Sequence, residues 1–211
     1  YELPPTPLDY HGSTIEPDAM ALDELGKRLV AVGAGGMEIL SVLNNVLQPI
    51  LHLPTDEVAA MLDAPVGRLV DVAIRDQILY LLDEEAGLFA VQDGGPGQLA
   101  LVSMIPTPEL FLDGVLHHPR ALVLGDDGLH VLSVNPDVAA SYRLSGVAVI
   151  DTLEMQVAWE ISLEGHGEIL DITRGPCGGV TVALGAEGLG WLPVPSTTDV
   201  MPAIDGPMEG Q

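Results

Sequence analysis

The chain has 211 residues, 47% of them hydrophobic and 18% charged, a balance that supports a sizeable core and excludes a disordered chain. Seven Lys and Arg against 31 Asp and Glu give a net charge of −24, which sets the surface against phosphates and anionic lipid and leaves no expectation of nucleic-acid binding. No apolar run reaches the ~18–20 residues of a membrane span; the stretch from Leu40 to Leu53 is broken by Asn44, Asn45, Gln48 and Pro49.

Residues 1–18 carry Pro4, Pro5, Pro7 and Pro17 and read as a Pro-rich N-terminal arm. The chain starts at Tyr1 rather than Met, so a processed chain or a piece of a longer one is expected. From about Ala19 to Thr55 a first unit contains a strand at Leu29 to Val32, a turn at Gly33 to Gly36, a strand at Ile39 to Val42 and an outer strand at Pro49 to Leu53. Thr55 to Pro65 then reads as a two-turn helical insertion, about residues 56–63, with Thr55 as its cap, Asp56 and Glu57 in its first turn and Pro65 as its stop. The second unit, Arg68 to Pro106, has four strands: Leu69 to Ala73, Ile78 to Leu82, Gly87 to Val91 and Leu99 to Ile105. The third, Leu110 to Ser145, is expected to use Phe111 to Leu116, Ala121 to Leu124, Leu129 to Val134 and Ala140 to Leu144, with a hairpin turn at Gly125-Asp126-Asp127-Gly128. A fourth unit has only Val147 to Asp151 and Val157 to Leu163, as if its first two strands were missing. The fifth has Ile169 to Thr173, Val180 to Leu184, Leu189 to Val194 and a weak Val200 to Ile204, before a polar tail at 205–211.

One phrase recurs through these units: a turn, a glycine, then a short run of β-formers. It opens at Gly36, Gly87, Gly128, Gly146 and Gly188, at intervals of 51, 41, 18 and 42 residues. A period of about 40–45 residues is that of a four-stranded propeller blade, and removing the helical insertion brings the first interval to it. The expected fold is therefore all-β, a propeller or partial propeller of four to five irregular blades with one short helical insertion, spanning residues 19–204. The interval of 18 marks the place where a blade is incomplete, or completed by another chain, or where one phrase is an extra hairpin.

The phrase Glu85-Ala86-Gly87-Leu88-Phe89-Ala90-Val91, ending at Ile105-Pro106-Thr107-Pro108, resembles the LVIVD-type repeats of bacterial propeller proteins. Gln92 departs from that pattern, where an acidic residue is usual, as does the truncated fourth unit. The resemblance implies an exported or cell-surface protein, extracellular or periplasmic, that serves as an interaction scaffold, with a cytoplasmic one as the alternative.

Motifs that name a reaction are absent. There is no Gly-x-Ser-x-Gly, no HExxH and no CxxC. The glycines of Val32 to Met37 are followed by a strand, not by a helix whose N-terminus could hold phosphate. The lone Cys177 lies in the turn Gly175 to Gly179 with no activating base nearby, and it excludes an internal disulfide. Metal candidates are Asp126, Asp127 and His117, with Asp83-Glu84-Glu85 as a second acidic turn, and calcium as the ion such oxygen-rich turns suit. Adjacent His117 and His118 on a strand would point to opposite faces and could not share one ion. The other histidines are His11, His52, His130 and His166. No catalytic or cofactor-binding residue is assigned. The leading expectation is a non-catalytic binding or scaffold module acting through protein–protein contacts in a larger assembly. The alternative is a lactonase-like propeller hydrolase using channel acids and histidines, with calcium.

Overall fold

The structure is a computed structural model that describes residues 15, 17–23, 27–43, 46–95, 98–111, 118–125, 128–134, 145–163, 169–175, 179–185 and 188–192. Its strands form four separate antiparallel sheets in which each strand pairs with its neighbour in sequence. Blade 1 is β1 (Pro17–Asp23), β2 (Arg28–Gly33), β3 (Gly36–Leu43) and β4 (Val46–Pro54). Blade 2 is β5 (Leu69–Arg75), β6 (Ile78–Asp83), β7 (Gly87–Asp93) and β8 (Leu99–Pro106). Blade 3 is β9 (His118–Leu124), β10 (Leu129–Val134), β11 (Ser145–Asp151) and β12 (Gln156–Ser162). Blade 4 contributes β13 (Asp171–Arg174), β14 (Val180–Ala183) and β15 (Leu189–Leu192). This is the four-bladed arrangement of a β-propeller, whose meander sheets stand around a common axis.

The short step from Gly128 to Gly146 falls inside one blade, so one phrase is an extra one and no blade is cut short there. Gly128 precedes β10 and Gly146 lies in β11, and the two strands pair in one sheet through Leu129↔Ile150 to Val134↔Ser145. The expected half blade is thus the outer half of blade 3. The glycine equivalent to Gly36 and Gly87 is Gly146, because it pairs with the last residues of the second strand as they do. Neither Ala140 to Leu144 nor Leu116 can be placed, since both lie outside the described residues, as does Val200 to Ile204. Phe111 is not in a strand; it ends a second short helix, α2 (Thr107–Leu110), which the sequence reading took only as the close of a repeat.

The first helix, α1 (Thr55–Leu62), sits between blades 1 and 2 and buries Val58 and Leu62. Its N-cap is Pro54 rather than Thr55, and no side chain caps it. Thr55 is otherwise engaged: its hydroxyl donates to the Ala34 carbonyl in the β2–β3 turn at 3.1 Å. Thr107 repeats the device one blade later, donating to the Glu85 carbonyl at 2.7 Å. The turns held in this way contain Gly36 and Gly87, at φ +120° and +125°. At both glycines an added Cβ would run into the backbone where the fourth strand passes into its helix. Only glycine allows that close approach.

Alternation along each strand sends one row of side chains to the next blade and the other to the previous one. Three apolar cores result. Val30, Val32, Met37 and Ile39 of blade 1 meet Val72, Leu79, Leu81, Phe89 and Val91 of blade 2. Tyr80, Leu82, Leu88 and Ala90 of blade 2 meet Leu122, Leu129, Val131 and Ile150 of blade 3. Ala121, Leu132 and Val147 of blade 3 meet Ile172, Val180 and Val182 of blade 4. The first strands pack in the order β1, β5, β9, β13, and no packing of similar extent joins β13 to β1 among the described residues.

Candidate functional site

Among the described residues, the inner strands and a cleft between blades 2 and 3 combine accessible space or polar groups with a built surround. On the inner strands, register makes Ala19, Asp71, Ala121 and Asp171 equivalent, since they pair with Val32, Leu82, Leu132 and Ala183 respectively. Two of four blades thus carry an aspartate at this position. Asp71 accepts from the Leu122 N–H of blade 3 at 2.7 Å and from the Val72 N–H at 2.7 Å, so its carboxyl ties blade 2 to blade 3. Burial pushes Asp71 up to about 6; the two backbone donors oppose that shift, and the negative charge of Asp171 adds to it. Asp171 is exposed and accepts from the Ile172 N–H at 2.8 Å. A carboxyl that exchanges a proton near neutrality is suited to acid–base work.

The remaining buried acids are structural. Asp83 accepts the N–H groups of Gly67, Glu85 and Ala86 at 2.7–2.9 Å and so shapes the β6–β7 turn and the approach to β5. The acidic turn read as a calcium candidate is therefore organised by backbone donors to Asp83. Asp93, 1% exposed, accepts from Arg28 of blade 1 and from the Gly95 N–H, while Arg28 also binds Asp23 at 2.8 Å. Asp23 raises the Arg28 guanidinium above its ordinary value, which burial partly offsets. Arg75 donates to the Gly125 carbonyl of blade 3, and Arg68 binds Asp18 at 2.9 Å. Each of these arginines links one blade to a neighbour.

His52 lies on β4 with Nδ1 3.0 Å from Glu38, a buried acid of β3. His130 is buried on β10, packed against Gly125. His118 is half-buried at the start of β9, paired with Val134. The metal candidates Asp126, Asp127 and His117 lie outside the described residues, as do His11, His166 and Cys177. Among the described residues no three His, Cys, Asp or Glu side chains gather into a metal-binding group.

The cleft has a volume of about 490 Å³ and is lined by Met104 and Ile105 of β8, Pro108, Glu109 and Phe111 around α2, and Met155 to Val157 at the start of β12. Phe111 is buried in its floor. Met155 stands at φ +48° in the β11–β12 turn, and Leu153 of the same turn is 93% exposed. Methionine side chains repack readily around a guest, so the walls suit an irregular apolar segment rather than a small polar metabolite.

Sequence reading missed both places. Asp71 and Asp171 had a signal, an aspartate followed by a β-branched residue within an apolar strand, but the equivalence of the two needs the bulged register of β5. The cleft had none, because its residues come from two blades.

No family profile and no curated protein sequence matches the chain. Solved structures do. A chain of hydrazine synthase from Kuenenia stuttgartiensis is similar at TM-score 0.55 and 16% identity, over 79% of this chain and 43% of that one. The β-propeller domain of Cps50 (Swd1) from Myceliophteria thermophila is similar at TM-score 0.57 and 10% identity, over 87% and 54%. The computationally designed Ika4 protein is similar at TM-score 0.53 and 16% identity, over 86% and 93%. The four blades thus span about half the length of the first two structures they match. At these identities the likeness establishes one thing: the chain has the β-propeller fold.

Proposed function

We propose that this propeller is a non-catalytic binding or scaffold module, acting through protein–protein contacts in a larger, extracytoplasmic assembly and related to the LVIVD-type repeat proteins. The observation that carries the reading is the cleft between blades 2 and 3, with Met104, Met155 and Phe111 as apolar walls and Leu153 exposed in the turn above Met155. Its guest is a protein segment with apolar side chains for the methionines and a cation for Glu109, drawn in by the field of a chain carrying −24. A photo-crosslinking side chain at Leu153 should capture protein partners in the native host. The same group at Val102, exposed on the outer strand of blade 2, should not, and Met155→Arg should abolish capture at Leu153 with the fold intact. Equal capture at both positions would sink the reading.

A second reading, a lactonase-like propeller hydrolase, is supported by Asp71, whose near-neutral titration beside Asp171 suits a general acid or base. Its test is hydrolysis of a panel of lactones with and without calcium. The activity must vanish in Asp71→Asn and follow an ionisation near pH 6, and a metal assay must find one ion per chain if calcium takes part.

A further inference from the structure

Each blade of this chain seals the next through the same register positions. On the forward side they are the first and third residues after the glycine of the third strand: Met37 and Ile39, Leu88 and Ala90, Val147 and Val149, all buried. On the backward side the inner-strand position is Val72, Leu122 and Ile172, again all buried. The same positions on the two faces left over are apolar and open. Leu189 and Trp191 on the forward face of blade 4 are 77% and 52% exposed. Met20, on the backward face of blade 1, is 62% exposed, with Leu22 exposed beside it. Ala31, Glu38 and Leu40, further out on that face, are buried, so its open part is the inner strand.

We infer that the forward face of blade 4 docks on the backward face of blade 1 of a second copy of this chain, and the reverse, so that two chains close head to tail into one ring. The contact reuses the inner-strand part of the interface that the chain already makes three times, on the one pair of faces that lacks it among the described residues. Trp191 is a prepared anchor: its indole lies over Gly175 and Gly179, where an added Cβ at Gly179 would come within 2.5 Å of Nε1. A tryptophan held flat and half exposed has the character of an interface hot spot. The four blades cover about half of the Cps50 propeller domain. Two copies would give eight blades, within the range of about 4–8 that close as propellers. A two-fold axis along the channel makes both junctions identical, which halts growth at two. Two chains of −24 repel, so the dimer is favoured by salt, whereas docking of a basic partner would be weakened by it.

The inference is independent of the cleft, which lies between blades 2 and 3 and is left intact in the variants that test it. Light scattering on the purified chain, at about 0.05 and about 0.5 M salt, where screening differs severalfold, should find a dimer whose population rises with salt. Trp191→Arg and Met20→Asp should each yield monomers with unchanged circular dichroism. Mixed together, the two variants should form dimers again, because one junction of the pair is then wholly native and the other sets Arg against Asp. Leu189→Lys and Leu22→Glu replace them if either variant fails to fold. A wild-type monomer at high concentration and high salt would overturn the inference. So would a dimer that survives both substitutions, or variants whose mixture stays monomeric.

Discussion

Gly87 is where the repeated phrase can be tested most directly. It lies at φ +125°, and an added Cβ would come inside the contact distance of the Ile105 carbonyl oxygen and within 2.8 Å of the Thr107 nitrogen. All of the obstructing atoms are backbone, so no side chain can swing away. Gly87→Ala therefore combines two costs: a positive-φ backbone, about 1–3 kcal/mol, and displacement of the β8–α2 junction, another ~1–3 kcal/mol of overpacking. The expected loss is ~2–6 kcal/mol, a large part of the ~5–15 kcal/mol that holds a domain together. Gly95 supplies the control. It has φ +116° but open space within 4 Å of its would-be Cβ, so Gly95→Ala should lose only the backbone share, ~1–3 kcal/mol. Urea unfolding followed by far-UV circular dichroism measures both. Equal losses at 87 and 95 would refute the idea that close approach of the fourth strand is what requires glycine in the repeat.

Asp71→Asn should flatten part of the pH dependence of stability. The native carboxyl titrates at about 6 against an ordinary 3.8, so its contribution is full below about pH 3.8 and lost as pH rises through 6. The stability difference between wild type and variant should therefore shift by about 2 kcal/mol against the wild type between pH 4 and 7, and parallel profiles would contradict this. Arg28→Ala leaves the 1%-exposed Asp93 carboxylate without its guanidinium and should cost ~3–5 kcal/mol in denaturant titration. Arg28→Lys should rescue little of this, because one ammonium does not reproduce a guanidinium shared between Asp23 and Asp93. Thr107→Val, which removes only the hydroxyl bond to the Glu85 carbonyl, should cost ~1 kcal/mol by the same assay.

Much of the blade content was legible because it is local. The run Ile78 to Leu82, the turn before Gly87 and the run to Val91 state two strands and their hairpin within about fifteen residues, and β6 and β7 pair there. Thr55 to Pro65 likewise carried its helix, though Pro54 rather than Thr55 holds the N-cap position, and the Thr55 hydroxyl donates to the Ala34 carbonyl instead of capping. Blade 3 was misread for an equally physical reason. Gly128 and Gly146 both open strands of the same hydrophobic character, and spacing alone does not say which of two strands begins the outer half of a sheet; the pairing of β10 with β11 does.

The sequence by itself determined the strands, their period and the class of fold, since alternation and turn chemistry act between residues close in the chain. It also determined the acidic surface, because charge adds up without regard to fold. Tertiary structure alone decided what lies next to what. It set Asp71 against Leu122, Arg28 against Asp93, and Met104 opposite Met155, residue pairs separated by about fifty or more positions. It also separated Met37, Leu88 and Val147, buried under a following blade, from Leu189, an apolar residue at the same position of its strand with nothing described above it. A strand encodes which of its faces is apolar; whether that face is covered depends on the blade that follows.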